Sequence, residues 1–345
     1  MTSARTAKPR PRPARAAARG APSLFSLADL EAAAGLVQPL VPPTPQYAWP
    51  LLAERAGTQV WVKHENHSPI GAFKVRGGIT YMDWLKRAHP EVEGVITATR
   101  GNHGQSIALA ARRAGLSATI LVPHGNSAEK NRAMESFGAE LVVHGRDFDE
   151  AKAYAGQVAA ERGLHFVPSF DAQLVKGVAT YALELYRAVP DLAAVYAPIG
   201  MGSGICGLIA ARDLLGLKTE IVGVVAAAAP AVALSFEAGR PVPTNSARTF
   251  ADGMACREPH AAAIEIIAKG AARIVRVEED EIAEAIRLYW TATHNVAEGA
   301  GAAPLAALLK ERRRMAGKRV GLILSGGNID TDVLATVLEG RTPAT

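Results

Sequence analysis

Two stretches of the chain combine residue types and spacing that can do chemistry. The first is Gly71-Ala72-Phe73-Lys74-Val75-Arg76-Gly77-Gly78, a lysine set among small and apolar neighbours. Desolvation lowers the pKa of an ammonium, and the neutral amine condenses with a carbonyl cofactor, so Lys74 is a candidate imine-forming nucleophile. The alternative is an ordinary solvated helix lysine. The second stretch is Pro198-Ile199-Gly200-Met201-Gly202-Ser203-Gly204-Ile205-Cys206-Gly207, which follows a strand-like run and opens a helix-like one. Its backbone amides can cradle a phosphate, since glycine permits close approach and a helix amino end favours an anion. Gly202, Gly204 and Gly207 also match the spacing of a dinucleotide fingerprint. That reading needs a carboxylate about 20 residues further on, at the end of the next strand, to hold a ribose. The run there closes Val224-Val225-Ala226, with Glu220 at its beginning, which disfavours a nicotinamide cofactor.

The elements that must hold these groups read as alternating strands and helices. Short apolar runs occur at residues 59–63, 94–98, 118–122, 140–144, 194–199, 220–225 and 320–325, and stretches such as 105–114 and 279–294 have helical spacing. A helix is also expected over residues 25–34, capped by Ser23 or Ser26 and ended by Gly35. Such alternation predicts an α/β fold with parallel-rich twisted sheets, helices on both faces and ligands at the carboxyl ends of the strands. The polar candidates do fall just after apolar runs, at residues 101–104, 200–207 and 325–328.

Composition narrows the function classes. The chain has 345 residues, 49% of them hydrophobic, enough for two domains or one large unit. The net charge of +5 arises from six basic residues within positions 1–24; without them 32 basic residues face 33 acidic ones. A near-neutral body gives no footprint for nucleic acid. We expect residues 1–24, rich in proline and alanine, to form a disordered basic leader. No charge-free apolar run of about 18 residues offers a membrane span. Cys206 and Cys256 stand in unrelated contexts, so neither a disulfide framework nor a thiolate metal site is expected, and a cytoplasmic location is. His64 and His67 are three residues apart without an evident third ligand, which favours a structural role over a metal site.

Taken together, four motifs in order make the chain, from about Thr44 onward, resemble the threonine dehydratase and serine racemase family of fold-type-II pyridoxal phosphate enzymes. Ala72 to Gly77 resembles the family's small-Phe-Lys-x-Arg-Gly motif, Gly101-Asn102-His103 its Gly-Asn-His loop, Gly200 to Gly204 its phosphate loop, and Ser325-Gly326-Gly327-Asn328 its terminal motif. The resemblance implies that Lys74 is the Schiff-base lysine, with Phe73 beside it. It further implies that Gly200, Met201, Gly202, Ser203 and Gly204 hold the cofactor phosphate, that Asn102 contacts the ring hydroxyl and that Ser325 bonds the pyridine nitrogen. The substrate would be held by Thr99, Arg100, Gly101, Asn102 and His103, although His103 can equally brace the backbone. The implied reaction is removal of the Cα proton by Lys74 and loss of a β-hydroxyl as water, protonated by the cofactor phosphate. Hydrolysis then gives a 2-oxo acid and ammonia. A β-replacement enzyme and a non-catalytic pyridoxal phosphate protein are the alternatives. The implied architecture is a small mobile domain over residues 92–168 inserted between segments 25–91 and 169–345 of a larger one, in a homodimer.

Three departures bear on substrate and control. Arg100 stands where the racemases of the family use serine and the dehydratases a small residue. A guanidinium does not shuttle protons at neutral pH, so racemisation is not expected; Arg100 either pairs with a substrate anion, the α-carboxylate or a distal one such as that of 3-hydroxyaspartate, or turns outward to solvent or neighbours. Val225 replaces the glutamate of the family's cation site, so no metal is expected there. The 17 residues after Asn328 leave room for one helix, and no isoleucine-responsive regulatory domain is expected. Glu298 lies where the family has a glutamate near the ring, but Gly299-Ala300 follows instead of Pro-Ser, and Asp252 reads as turn former or functional carboxylate alike.

Overall fold

The computed structural model describes residues 24–345; the expected basic leader, apart from Leu24, lies outside the described residues. Strands alternate with helices along the chain: β1 (Gln46–Ala48), β2 (Gln59–His64), β3 (Gly94–Ala98), β4 (Ser117–Val122), β5 (Glu140–Val143), β6 (His165–Phe166), β7 (Ala194–Pro198), β8 (Glu220–Ala226), β9 (Arg273–Val277) and β10 (Arg319–Leu324). They form two sheets, a six-stranded one ordered β1-β2-β10-β7-β8-β9 and a four-stranded one ordered β5-β4-β3-β6. Only the β1–β2 pair is antiparallel. The smaller sheet draws all its strands from residues 94–166, and the larger one draws on the segments either side.

Alternation along the central strands feeds two cores. Val195 and Ala197 of β7 join one cluster with the helices Leu27–Val37, Ala172–Ala188 and Ser203–Leu214, while Ala194 and Tyr196 join another with Glu279–Thr293 and Gly299–Lys310. A strand buried on both faces needs helices on both, the packing that parallel sheets require. The smaller sheet is covered likewise, and Tyr81, Met82 and Leu85 of the helix Lys74–Ala88 pack against it. No helix among the described residues is long and apolar enough to cross a membrane.

All seven expected apolar runs are strands, within a residue at either end. The first helix differs from expectation. Ser26 caps it in a box with Asp29, but the helix runs through Gly35 to Val37. Burial of Val37 outweighs the cost of about 1 kcal/mol for an interior glycine.

Candidate active site

Lys74 is placed by the ends of two neighbouring parallel strands. β2 leads through the turn Glu65–His67 to the helix Lys74–Ala88, of which Lys74 is the first residue. The loop before it is stitched to the end of β10: Phe73 N donates to Ser325 O (3.0 Å), and Gly327 N to Gly71 O (2.9 Å). Below the lysine, Arg76 is buried between two carboxylates. Its Nε and Nη2 donate to Glu65 (2.7 and 3.0 Å), and its Nη1 and Nη2 donate to Glu184 (2.7 and 2.9 Å). Lys63 Nζ donates to Glu184 at 2.6 Å, and Thr44 Oγ1 to Glu65 at 2.6 Å. Two cations and two anions thus balance inside the core and fix the first helical turn.

The glycine loop leaves the carboxyl end of β7 and opens the helix Ser203–Leu214. Ile199 N donates to Val224 O and Cys206 N to Gly202 O, but between them the backbone amides of residues 200–205 donate to nothing among the described residues. Six consecutive unpaired donors at a helix amino end form an anion cradle. Local packing demands glycine here: a Cβ on Gly200 would stand 2.2 Å from Gly253 O, and Gly202 has φ +102°. Tyr181 donates to Gly204 O at 2.9 Å, and a Cβ on Gly204 would lie 3.6 Å from the Phe73 ring, so loop and lysine segment are neighbours.

Opposite stands the end of β3. Buried Thr99 accepts from Gly101 N (3.0 Å) and Gly104 N (3.3 Å) through its hydroxyl and shapes the turn into the helix Asn102–Arg113. The amides of Asn102 and His103 have no acceptor among the described residues. Asn102 Nδ2 donates to both Glu298 oxygens (2.9 and 3.0 Å), and its Oδ1 accepts from Asn328 Nδ2 (2.7 Å). His103 is buried with Nε2 unpartnered, and desolvation drives its pKa to about 3, so it is neutral.

One cleft gathers Lys74, Thr99, Arg100, Gly101, Asn102, His103, Gly200 and Met201. Phe73, Gly202, Ser203, Gly204 and Ser325 are not on its wall but adjoin it through the contacts above. The cleft also shows Lys130, Asp252 and Glu298. Lys130 has no signal in the sequence, being a lone lysine on a short amphipathic helix. Asp252 opens the turn Asp252–Met254, as a turn former would, and its carboxylate also pairs with Lys130 (2.7 Å) and Arg100 (3.3 Å). The Gly299-Ala300 departure has a packing reason. A Cβ on Gly299 would meet Ala251 Cα at 2.8 Å, and one on Gly253 would meet Ala300 Cβ at 2.9 Å. Val225, at the end of β8, is buried. His64 stacks on His67 at 5.1 Å and accepts from Trp49 Nε1 at 3.0 Å, a structural role.

The electrostatics suit a reactive amine. Burial lowers the Lys74 pKa to about 8, against an opposing pull from Glu298. Burial likewise raises the Glu298 carboxyl to about 6, with Asn102 and Lys130 opposing. Lys74 Nζ bonds nothing among the described residues and stands 5.0 Å from the Phe73 ring centroid. The Ser325 hydroxyl, in a buried residue, also lacks a partner among the described residues. A lysine that gives up its proton near pH 8, an unused hydroxyl and a row of free amides fit a phosphorylated aromatic aldehyde.

Comparison with known proteins identifies the family. The family described as pyridoxal-phosphate dependent enzyme matches residues 37–326. The L-threonine ammonia-lyase of Geobacter sulfurreducens is 40% identical over 289 residues, 83% of this chain and 71% of that protein. The L-threo-3-hydroxyaspartate ammonia-lyase of Saccharomyces cerevisiae is 31% identical over 314 residues, 91% of this chain and 96% of that protein. Among solved structures, the processed form of threonine deaminase isoform 2 from Solanum lycopersicum superposes with a TM-score of 0.85 at 30% identity, covering 91% of this chain and 86% of that one. With the family match spanning most of its length, the chain belongs to the pyridoxal-phosphate-dependent enzymes.

Proposed function

We propose that the protein is a pyridoxal-phosphate-dependent ammonia-lyase that converts a β-hydroxy amino acid to a 2-oxo acid and ammonia. The carrying observation is the Lys74 amine, with its pKa near 8, beside six unpaired backbone amides. In this reading Lys74 anchors the cofactor, the amides of residues 200–205 hold its phosphate, Ser325 faces the ring nitrogen and Asn102 the ring hydroxyl. When bound, the cofactor supplies an electron-withdrawing ring that stabilises negative charge at the substrate Cα. The neutral partner Ser325 leaves that withdrawal modest, which suits prompt loss of the β-hydroxyl over a long-lived carbanion.

The chain's own groups do the rest. The amides of Asn102 and His103, at a helix amino end, receive the α-carboxylate. Lys74 takes the Cα proton, for which an amine with pKa near 8 is matched to neutral pH. Glu298 fixes the Asn102 amide by accepting both its hydrogen bonds. Residues 92–168 act as a small mobile domain that closes the cleft and excludes water, with 25–91 and 169–345 as the larger unit. Support for closure comes from Ser127 donating to Asp330 (2.6 Å) and from the Arg257–Asp149 pair. A cytoplasmic homodimer completes the reading.

The test is a panel of β-hydroxy amino acids assayed for 2-oxo acid release, with borohydride reduction and peptide mapping of the loaded protein. We expect release from at least one substrate and a pyridoxyl label on Lys74. A label elsewhere, or no release, refutes the proposal.

A further inference from the structure

Arg100 is the cleft residue for which the reaction above has no use. It stands on the cleft wall shared with Lys74, and 47% of its side chain is exposed. Its one ion pair among the described residues is Nη2 to Asp252 Oδ1 at 3.3 Å, and it makes no hydrogen bond there. The other Asp252 oxygen is held by Lys130 at 2.7 Å, and Lys130 in turn lies 3.8 Å from Asp330. Asp252 therefore divides itself between two cations and leaves most of the Arg100 fork unsatisfied. A guanidinium presents five N–H donors and readily bridges two carboxylates. Arg76 does so in this chain, between Glu65 and Glu184. The α-carboxylate of an amino acid already has the free amides of Asn102 and His103, so a second anion is what Arg100 is fitted to take.

We propose that Arg100 binds a carboxylate on the substrate side chain and selects β-hydroxy amino acids that are diacids, of which 3-hydroxyaspartate is the smallest. Asp252 anchors one edge of the guanidinium, and the open edge takes the distal carboxylate. This rests on the ammonia-lyase reading and adds the substrate class. The competing occupant is an apolar side chain set against Phe148 and Met201, which also line the cleft.

Two measurements test it. The first is the ratio of kcat/KM for threo-3-hydroxyaspartate over that for threonine. We expect the wild type to favour the diacid by at least about tenfold and Arg100→Ala to lower the ratio by about 100-fold, as befits a charge-assisted bidentate contact. Arg100→Lys, which keeps the charge without the fork, should fall between. The second needs no turnover: succinate should raise the melting temperature of the protein more than butyrate does, and the difference should vanish in Arg100→Ala. An unchanged ratio, no difference between succinate and butyrate, or a wild-type preference for phenylserine overturns the proposal. Release of 2-oxo acid from threonine with the ratio unchanged sinks the diacid assignment and leaves the ammonia-lyase reading standing. No release from any amino acid refutes that reading, and the succinate comparison then still decides the role of Arg100.

Discussion

The buried charge cluster under Lys74 sets a measurable cost on any change in its balance. Glu65 and Arg76 have side chains fully withdrawn from solvent, Lys63 likewise, and Glu184 is 8% exposed. Glu65→Gln preserves the shape but leaves two cations facing the single carboxylate of Glu184. It also turns an amide donor toward Arg76 or Thr44, both of which now donate to Glu65. Breaking a buried pair from one side costs about 3–5 kcal/mol. At roughly 2–4 °C per kcal/mol for domains of 150–250 residues, and less for a longer chain, thermal unfolding should move down by about 5–15 °C. The double variant Glu65→Leu, Arg76→Met removes one charge of each sign and leaves the Lys63–Glu184 pair at 2.6 Å neutral. It should be less destabilised than Glu65→Gln alone, because no charge is stranded. Calorimetry of the three proteins at one pH is the assay. A Glu65→Gln protein within about 1 kcal/mol of wild type, or a double variant as destabilised as Glu65→Gln, refutes the reasoning.

Two other outcomes follow from the cleft. The Lys74 ammonium has a folded pKa of about 8 against an ordinary 10.5, so its burial penalty is fully present below pH 8 and is relieved as pH rises from 8 to 10.5. The rate at which the cofactor-free protein forms a borohydride-trappable adduct at Lys74 should therefore reach half its maximum near pH 8; a midpoint near 10 contradicts the desolvation argument. Gly200→Ala drives a methyl group to 2.2 Å from a backbone oxygen, so the loop must shift. We expect at least about tenfold weaker pyridoxal phosphate binding in a fluorescence titration; undiminished affinity counts against the amide cradle.

What the sequence made legible was local. Lys74, the glycine loop and Gly101 to His103 each lie in a short contiguous motif, so residue type and spacing point to them without reference to the rest of the chain. Gly202, with φ +102°, is glycine for a reason local to its own backbone. The strands were legible for a similar reason: those buried on both faces admit little but apolar residues. β9 is absent from the apolar runs because Arg273 and Arg276 break its pattern, and the two are held by Glu220, Glu311 and Glu237 from three separate parts of the chain.

Pairing between distant segments is what a single sequence hides. The resemblance assigned Asn102 to the cofactor, yet its amide is aimed by Glu298 and Asn328, some two hundred residues away. Lys63, Glu65, Arg76 and Glu184 look like surface charges in the sequence and become core only when β2 and two helices bring them within hydrogen-bonding distance. The same applies to Arg100, one edge of which meets Asp252, 152 positions on. Motifs of this kind mark the cofactor site, because the cofactor needs the same local geometry whatever the substrate. In the diacid reading proposed above, specificity rests on Arg100, which meets Asp252 and, through it, Lys130 only where segments distant in sequence come together.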